Sequence, residues 1–456
     1  MYNLIYINTH DTGRMISPYG YNIPTDNLLS LAKDSTLFTN CYCCGPTCSP
    51  SRAAMLTGTY PHQNGMLGLA QRGFGLYDPS KHLASYLRSK GYHTAISGIQ
   101  HETGWYLDLD NNALHDLGYE DILTTSSKEY KKEDLHIWDH NNVLEAINWL
   151  NNYHDDKPFM LTYGMHSTHR PYPIEVDKTI DERYVNVNFA SDNNEETRHD
   201  KACFMTSAKH ADENVGLLLE AIRNNNLLDN TIIMFTTDHG VADPFHKCTL
   251  NDRGIGVSLI IRHPKLAHGI VCDNLVSHVD VFPTLCDLLE IDKPDYLEGI
   301  SFNKMFENEK ITTRDEIFAE VNFHTSYEPI RCIRTNRYKY IKYYDTYDKL
   351  NLSNIDESIC KTQLLDKGLR EYHKPLEALY DLLYDKDETN NLINDPSLYH
   401  IKEELSNRLY QHMLDTNDPI LLGELKIYPN YKVNKKECLK ASSKDPNDYD
   451  NRGRTA

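Results

Sequence analysis

The chain has 456 residues, in which 66 Asp and Glu outnumber 47 Lys and Arg and leave a formal net charge of −19. This acidic balance excludes a general nucleic-acid binder, because such a protein needs a basic face to displace counterions from phosphates. With 40% hydrophobic and 25% charged residues, the composition is that of a globular protein with a large core.

The N-terminus and the cysteines bear on the cellular compartment. Met1-Tyr2-Asn3 leads directly into an apolar strand, without the basic segment and apolar stretch of a signal peptide. No run of roughly 18 apolar residues could cross a membrane. The eleven cysteines are an odd number, which is typical of reduced thiols. We therefore expect a cytoplasmic protein without a membrane partner, although a chain that had lost a leader would look the same.

Apolar segments rich in Ile, Val, Leu and Tyr alternate with segments of helical period. This pattern is typical of a mostly parallel sheet covered by helices on both faces, an α/β fold. The predicted strands are residues 3–8, 93–99, 159–165, 231–237 and 256–262. The predicted helices are residues 25–33, 50–57, 80–90, 142–152, 208–224 and 281–289.

The pattern changes after Gly299. Two long strands are predicted at 316–324 and 330–344, followed by a polar stretch and a helix at 398–414. We interpret residues 1–305 as a catalytic domain and residues 306–456 as a smaller α+β domain that completes the substrate cleft. The Lys-, Asn- and Asp-rich end is expected to wrap the surface or fray.

The segment CSPSRAAMLTG, residues 48–58, is the most informative in the chain. Pro50 suits a first helical turn and Gly58 a helix end, so Cys48 should lie at a helix N-terminus. The helix dipole and Arg52, one turn along, would both favour an anionic ligand there. The alternative is a zinc knuckle or a group of buried thiols. The cysteines concerned are Cys41, Cys43, Cys44 and Cys48, whose spacing does not give two CxxC pairs.

Two further polar clusters follow predicted strands. Thr9-His10-Asp11-Thr12-Gly13 follows the first strand, and Thr237-Asp238-His239-Gly240 follows a later one. Because the carboxyl ends of parallel strands meet at one edge of a sheet, the two carboxylates should lie close together and suit a hard divalent cation. Either cluster alone would also fit a solvated turn or a helix cap.

The segment at Cys48 resembles the motif of the type I sulfatases, in which the leading cysteine is oxidised to formylglycine. The longer string CSPSRAAMLTGTYPHQNGM, residues 48–66, is most similar to the heparan N-sulfatase branch of that family. Further similarity lies near residues 11, 101, 166, 238 and 247 and at LYDL, residues 379–382. The resemblance implies an alkaline phosphatase-like fold, a formylglycine-generating maturation enzyme as partner, and a bound Ca²⁺. A histidine ligand would favour Mg²⁺ or Mn²⁺ instead.

The resemblance also implies roles for individual residues. Arg52 and the cation would hold the sulfate oxygens, the hydrated aldehyde at position 48 would attack sulfur, Lys247 or His166 would assist the leaving group, and His101 would help to release sulfate. The implied metal ligands are His10, Asp11, Cys48, Asp238 and His239, with His10 in the place of a first aspartate. The implied catalytic residues are Cys48, Arg52, His101, His166 and Lys247.

One departure from the family pattern concerns positive charge. The family has a lysine where Ile99 stands, so Arg14, His169 or Arg170 is expected to supply the charge near the sulfate. His169 and Arg170 are thus candidate substrate-binding residues. His324 and Arg331 are expected to touch a sugar, although their segment also fits an ordinary edge strand.

Four functions remain open. The first is a sulfatase acting on N-sulfoglucosamine or a short glycosaminoglycan fragment. The others are an O-sulfatase for another sugar, a phosphodiesterase or phosphonate monoester hydrolase of the same fold, and a non-catalytic binding homologue. The charge of −19 would repel a long polyanion at a distance. We therefore expect a local cationic pocket inside an acidic shell, which suits a small sulfated sugar as substrate.

Overall fold

The computed structural model describes residues 1–107 and 111–452. Within these ranges, nine strands form one large sheet in the spatial order β4-β3-β5-β1-β6-β8-β2-β7, with β9 also paired to β2. The strands are β1 (Asn3–Thr9), β2 (Thr36–Tyr42), β3 (His93–Gly98), β4 (Asp121–Ile122), β5 (Phe159–Gly164), β6 (Thr231–Thr237), β7 (Gly256–Val257), β8 (Leu259–Arg262) and β9 (Ile270–Ser277).

The predicted α/β fold is confirmed, and its parallel part lies at the centre. β1 pairs in parallel with both β5 and β6, and every residue of these three strands is buried. Burial on both faces explains their continuous apolar sequences. Beyond β6 the sheet becomes mixed, because β8 pairs antiparallel with β6 and β2. The segment predicted as one strand at 256–262 forms two short strands, β7 and β8. The sequence analysis does not predict β2, β4 or β9.

Helices cover both faces of the large sheet. Side chains alternate along β1, so Leu4 and Tyr6 join the core beneath α2 and α9, whereas Ile5 and Ile7 join the core beneath α6 and α7. The helices of the described residues are α1 (Asp26–Lys33), α2 (Cys48–Thr57), α3 (Pro61–Asn64), α4 (Leu83–Ser89), α5 (Asn111–Asp116), α6 (Leu135–Asn152), α7 (Glu195–Asn224), α8 (Asp252–Ile255), α9 (Val281–Leu288), α10 (Ile359–Asp366) and α11 (Tyr399–Asp415).

A second sheet follows in the C-terminal part. It is antiparallel, with its strands in chain order: β10 (Glu316–Phe323), β11 (Tyr327–Thr335), β12 (Tyr338–Tyr343) and β13 (Glu377–Asp381). The single strand predicted at 330–344 is wrong, because the chain reverses between Thr335 and Tyr338 to form a hairpin.

The two sheets share their apolar core. Ile317 and Val321 of β10 belong to the same buried cluster as Leu4, whereas Phe318 packs in a cluster with Ala53 and Ala54 of α2. The domain boundary after residue 305 stays a prediction. None of the described helices is long and apolar enough to cross a membrane.

Candidate active site

The two strand-end carboxylates meet at one edge of the large sheet. Thr9 and Thr237 are register partners at the ends of β1 and β6, so the residues that follow them emerge side by side. The backbone N–H of Asp11 donates to Asp238 Oδ1 at 2.9 Å. Asp11 has a φ of +57°, in the left-handed region, and this turns the chain sharply at the end of the strand. Both carboxylates are thereby fixed in one buried cluster.

Two imidazoles face these carboxylates. His10 Nε2 lies 3.2 Å from Asp238 Oδ2 and 3.6 Å from Asp11 Oδ1. His239 Nε2 lies 3.3 Å from Asp11 Oδ1. Neither ring nitrogen of His10 has a hydrogen-bond partner among the described residues, although its side chain is only 1% exposed. Buried nitrogens without partners that face carboxylate oxygens fit a divalent cation with mixed nitrogen and oxygen ligands.

Cys48 completes this cluster as the first residue of α2. Its Sγ lies 3.4 Å from His239 Nε2 and 3.9 Å from Asp11 Oδ1. Burial raises the pKa of the Cys48 thiol well above its usual range. Two groups of side chains that could hold a metal share Asp11 and Cys48, one adding Asp238 and His239 and the other His10 and His169.

Arg52 lies one helical turn after Cys48 and is buried beneath Asp238. Its Nε donates to Asp238 Oδ2 at 3.2 Å, one terminal nitrogen donates to the Thr9 carbonyl at 3.2 Å, and the other contacts Asn8 Oδ1. Burial opposes ionisation of Asp238, but the charges of His239 and Arg52 outweigh it and lower the pKa of that carboxyl to about 2. Arg52 therefore positions a candidate metal ligand in this structure.

Lys247 supplies a buried positive charge on the other side of the cluster. Its Nζ donates to Asp11 Oδ2 and to Asp356 Oδ2, each at 2.9 Å, and lies 3.5 Å from His169 Nε2. Burial alone would lower the pKa of Lys247, but Asp11 and Asp356 outweigh it and raise this pKa well above its usual range. Sequence reasoning missed Asp356, which lies in a polar loop of the C-terminal part without a local motif.

Three predicted histidines lie around the cluster. The rings of His101 and His166 have their centroids 5.3 and 6.1 Å from that of His10. His101 Nε2 lies 3.0 Å from Gln71 Oε1, and burial lowers the pKa of both His101 and His166 well below the usual range. His324 is also buried, and after burial the charge of Lys247 is the next largest cause that lowers its pKa. His324 thus lies within electrostatic reach of the cluster.

Three arginines that the sequence offers as candidates are engaged by other partners in the structure, and their predicted roles in binding substrate stay predictions. Arg170 donates to Asp200 at 2.6 and 2.7 Å and to Asp243 at 2.6 Å. Arg331 is buried and held by Asp418 at 2.5 and 2.9 Å. Arg14 donates to the Cys41 carbonyl and packs on the ring of Tyr42. Because their guanidinium groups are already bound to these partners, none of the three provides a free charge at the cluster.

Two other sequence features also find their explanation. Ile99 packs with Leu135 and Trp138 in a small buried apolar cluster, where a lysine would be unfavourable.

The zinc alternative is not supported among the described residues, because none of the side-chain groups able to hold a metal includes Cys41, Cys43 or Cys44. All eleven cysteines are free and buried.

A large mixed sheet between helices, with buried carboxylates and imidazoles at its strand ends, agrees with the predicted alkaline phosphatase-like α/β fold. The profile described as Sulfatase matches residues 2–291, and that described as N-sulphoglucosamine sulphohydrolase, C-terminal, matches residues 238–363. The chain therefore belongs to the sulfatase family, and it is a hydrolase of sulfate esters or sulfamates.

Named relatives agree with this assignment. The chain is 27% identical to N-sulphoglucosamine sulphohydrolase of Homo sapiens, over 87% of this chain and 86% of the relative. It is 26% identical to an ulvan-active sulfatase of Formosa agariphila, over 92% of this chain and 76% of the relative. A solved structure described as a complex with its substrate D-glucosamine-2-N,6-O-disulfate has a TM-score of 0.67 and 20% identity, covering 91% of this chain and 98% of that one.

Proposed function

We propose that this sulfatase hydrolyses the N–S bond of N-sulfoglucosamine, as the free sugar or at the end of a short glycosaminoglycan fragment. The observation that carries this proposal is the pairing of Lys247 with Asp356. The nitrogen of a sulfamate takes up one proton and is then positively charged while it is still bonded to sulfur. It keeps the electron pair of the N–S bond and departs as a neutral amine, and a neighbouring carboxylate stabilises the protonated form that precedes cleavage. Lys247 provides the proton donor and Asp356 the carboxylate, with one oxygen 2.9 Å from Lys247 Nζ.

The relatives support the same proposal. The profile named for the C-terminal part of N-sulphoglucosamine sulphohydrolase matches residues 238–363, a range that contains Asp238, Lys247 and Asp356. The human relative of that name aligns with 87% of this chain. A sugar as substrate is also in accord with the solved structure bound to a glucosamine disulfate.

We assign the candidate metal site to His10, Asp11, Asp238 and His239. A divalent cation bound there would supply positive charge to a sulfate oxygen and acidify a hydroxyl group. The family resemblance implies Ca²⁺. Ca²⁺ and Mg²⁺ both prefer oxygen ligands, however, so the two imidazole nitrogens of this site favour Mn²⁺. Arg52 holds Asp238 in place for this role.

We also propose that Cys48 is converted to formylglycine by a maturation enzyme. The hydrated aldehyde would supply a hydroxyl nucleophile with a second hydroxyl on the same carbon, so that the enzyme could release sulfate. Cys48 lies next to His239 and Asp11, where such hydroxyls would meet the metal ligands. The position of this side chain at the N-terminus of α2 favours bound anions.

The proposed cellular site is the cytoplasm. Its support is the cysteine chemistry, because eleven buried, unpaired thiols are compatible with a reducing compartment. Fractionation of cells that express the untagged protein would test this, and recovery in an exported fraction would contradict it.

Parallel assays would test the substrate. We expect the metal-loaded, matured protein to release sulfate from N-sulfoglucosamine with a higher kcat/KM than from glucosamine-6-sulfate, and to leave a phosphodiester unchanged. Cys48→Ala is the control for contaminating sulfatases. Preference for the 6-O-sulfate would favour an O-sulfatase, the second candidate, which is supported by 24% identity to an N-acetylglucosamine-6-O-sulfatase of Bacteroides thetaiotaomicron over 86% of this chain and 87% of the relative.

A further inference from the structure

A cavity of about 880 Å³ opens beside Lys247. Two of its lining side chains, His169 and Asp356, lie 3.5 and 2.9 Å from Lys247 Nζ. Lys247 in turn contacts Asp11 of the candidate metal cluster. The cavity is thus the space into which the group attached to the sulfur would extend, provided that the proposed function is correct.

The charges around this cavity are mostly negative. Six carboxylates line it, against one lysine and one arginine. The arginine, Arg170, is paired with Asp200 and Asp243. Three other carboxylates of the wall are also paired: Asp356 with Lys247, Glu357 with Lys361 and Glu182 with His199. The carboxylates are Glu182, Glu195, Glu196, Asp200, Asp356 and Glu357. Glu195 and Glu196 are exposed and form no ion pair with any residue in the ranges 1–107 and 111–452. Glu196 accepts a hydrogen bond from Gln363 Nε2 at 2.9 Å, which leaves its negative charge in place, so both residues contribute negative charge to this wall.

The remaining wall of the cavity is apolar. Pro171, Tyr172 and Pro173 form one side with Ile174, whose surface is 69% exposed. An apolar wall beside several carboxylates is the combination that suits a sugar, since one face of a pyranose ring is apolar and its hydroxyl groups donate hydrogen bonds. The glucosamine amine that the reaction sets free would be attracted by the same carboxylates once it is protonated.

We propose that this cavity selects an amino sugar that carries no carboxylate and that it disfavours uronate-containing fragments. The sulfate end of the substrate meets Lys247 and the metal cluster, whereas the rest of the sugar meets a wall with a net negative charge. A uronate placed in this wall would face like charges at close range, which is an effective way to reject an alternative ligand. The preferred substrate is then a monosaccharide or a neutral glycoside of glucosamine.

A matched pair of disaccharides isolates this charge effect. In the first, N-sulfoglucosamine is linked to glucuronic acid; in the second, the glucuronic acid is carboxyl-reduced to glucose, so that the two differ in one charged group. We expect the neutral disaccharide to have a kcat/KM about tenfold higher at low ionic strength, because local potentials of this kind change encounter rates by about 10-fold or more. The ratio should fall towards one at high salt, where charges are screened.

Charge variants connect the effect to this cavity. Glu195→Gln combined with Glu196→Gln should reduce the ratio severalfold, and a general change in activity does not affect this ratio because both disaccharides are measured with the same variant. The control is Glu220→Gln, an exposed carboxylate further along α7 that does not line the cavity. An equal or higher kcat/KM for the uronate disaccharide in the wild-type protein would overturn the inference, as would an unchanged ratio in the double variant.

The same design separates the two proposals. If sulfamates are inert but 6-O-sulfated sugars are cleaved, the proposed N-sulfatase activity fails. The comparison is then made with the 6-O-sulfated disaccharides, which differ in the same carboxylate. Preference for the neutral member of that pair would still support the charge selection, and preference for the uronate member would overturn it.

Discussion

Lys247 and Asp356, separated by 109 positions in the chain, form a buried ion pair with 2.9 Å between Nζ and a carboxylate oxygen. Lys247 belongs to the loop that follows β6, and Asp356 to the segment between β12 and β13 of the second sheet. The pair therefore joins the two parts of the chain directly at the candidate active site.

Substitution at this pair should separate amine from alcohol leaving groups. We expect Asp356→Asn to reduce kcat/KM for N-sulfoglucosamine by about tenfold or more and to affect nitrophenyl sulfate less, because the sulfamate nitrogen must be protonated, and so positively charged, before the bond breaks, whereas nitrophenolate leaves without a proton. Lys247→Met should reduce activity on both substrates by about 10²-fold to 10³-fold, since it removes a preorganised charge.

Asp348→Asn is the matched control for this pair, as this exposed residue lies nearby in the chain and pairs with His373. Equal losses on the sulfamate and on nitrophenyl sulfate in Asp356→Asn would show that the carboxylate only positions Lys247.

The modification of Cys48 is open to direct measurement. Protein produced together with a maturation enzyme should show a peptide around Cys48 that is lighter by about 18 Da, the difference between cysteine and formylglycine. The peptide is expected to carry the change at Cys48 and not at Cys44, which is also buried. An unmodified thiol at Cys48 in a fully active preparation would disprove the role of formylglycine.

The metal preference should depend on His10. After removal of bound metal and incubation with equal concentrations of Ca²⁺ and Mn²⁺, the wild-type protein is expected to retain more Mn²⁺. His10→Asp should shift the retained ratio towards Ca²⁺ by about tenfold, because an oxygen ligand replaces a nitrogen ligand. Elemental analysis measures this ratio without an activity assay. The control substitution is His154→Asp, at an exposed histidine. A change in the retained Mn²⁺ to Ca²⁺ ratio in His154→Asp but not in His10→Asp would contradict the assignment of His10.

A second buried pair should govern acid stability. His62 Nδ1 lies 2.5 Å from Glu320 Oε2, and both side chains are almost fully buried. Burial would raise the pKa of Glu320, but the charges of His62 and Arg331 outweigh it and lower this pKa to about 2. Because the folded-state pKa is below that of the unfolded chain, the pair stabilises the fold above roughly pH 4.5, and this contribution is lost as the pH falls towards 2.

Urea unfolding at several pH values would test this pair. Glu320→Gln is expected to lower the free energy of unfolding at pH 7 by roughly 3–5 kcal/mol, the usual cost of breaking a buried ion pair. The difference from wild type should shrink as the pH falls below about 4.5. The exposed Glu298, substituted to Gln, should change stability little at any of these pH values. A difference that stays constant with pH would contradict an ionic contribution.

Local sequence predicted those parts of the site that depend on strand ends and helix starts. Asp11 and Asp238 could be placed together because parallel strands bring their carboxyl ends to one edge. Cys48 could be placed at a helix start because Pro50 and Gly58 mark the two ends of a short helix. In these cases the structural cause lies within a few residues of the side chain concerned.

The remaining features depend on partners far away in the chain. Asp356 has no neighbouring motif, and its importance appears only when Lys247 is brought next to it. Asp418, the partner of Arg331, lies 87 positions further along, so the sequence around Arg331 does not show that this guanidinium group is engaged. The hairpin between β11 and β12 looks like one strand in the sequence because apolar or aromatic residues recur on both sides of Asn336 and Arg337. The early start of α7 was missed because its first turns are polar, although Asn194 and Thr197 form a capping box there.

The position of α2 restricts when Cys48 can be modified. All ten residues of this helix are buried, and the second sheet packs over Ala53 and Ala54. An enzyme that must contact the side chain and its neighbours has no access to them once both sheets have formed. Under the proposed conversion of Cys48, maturation and folding would compete for the same segment, and the fraction of active protein in a cell would depend on which of the two reaches residues 48–57 first. Slower folding of the C-terminal part would increase that fraction, and a shortage of the maturation enzyme would leave stable, fully folded protein without activity.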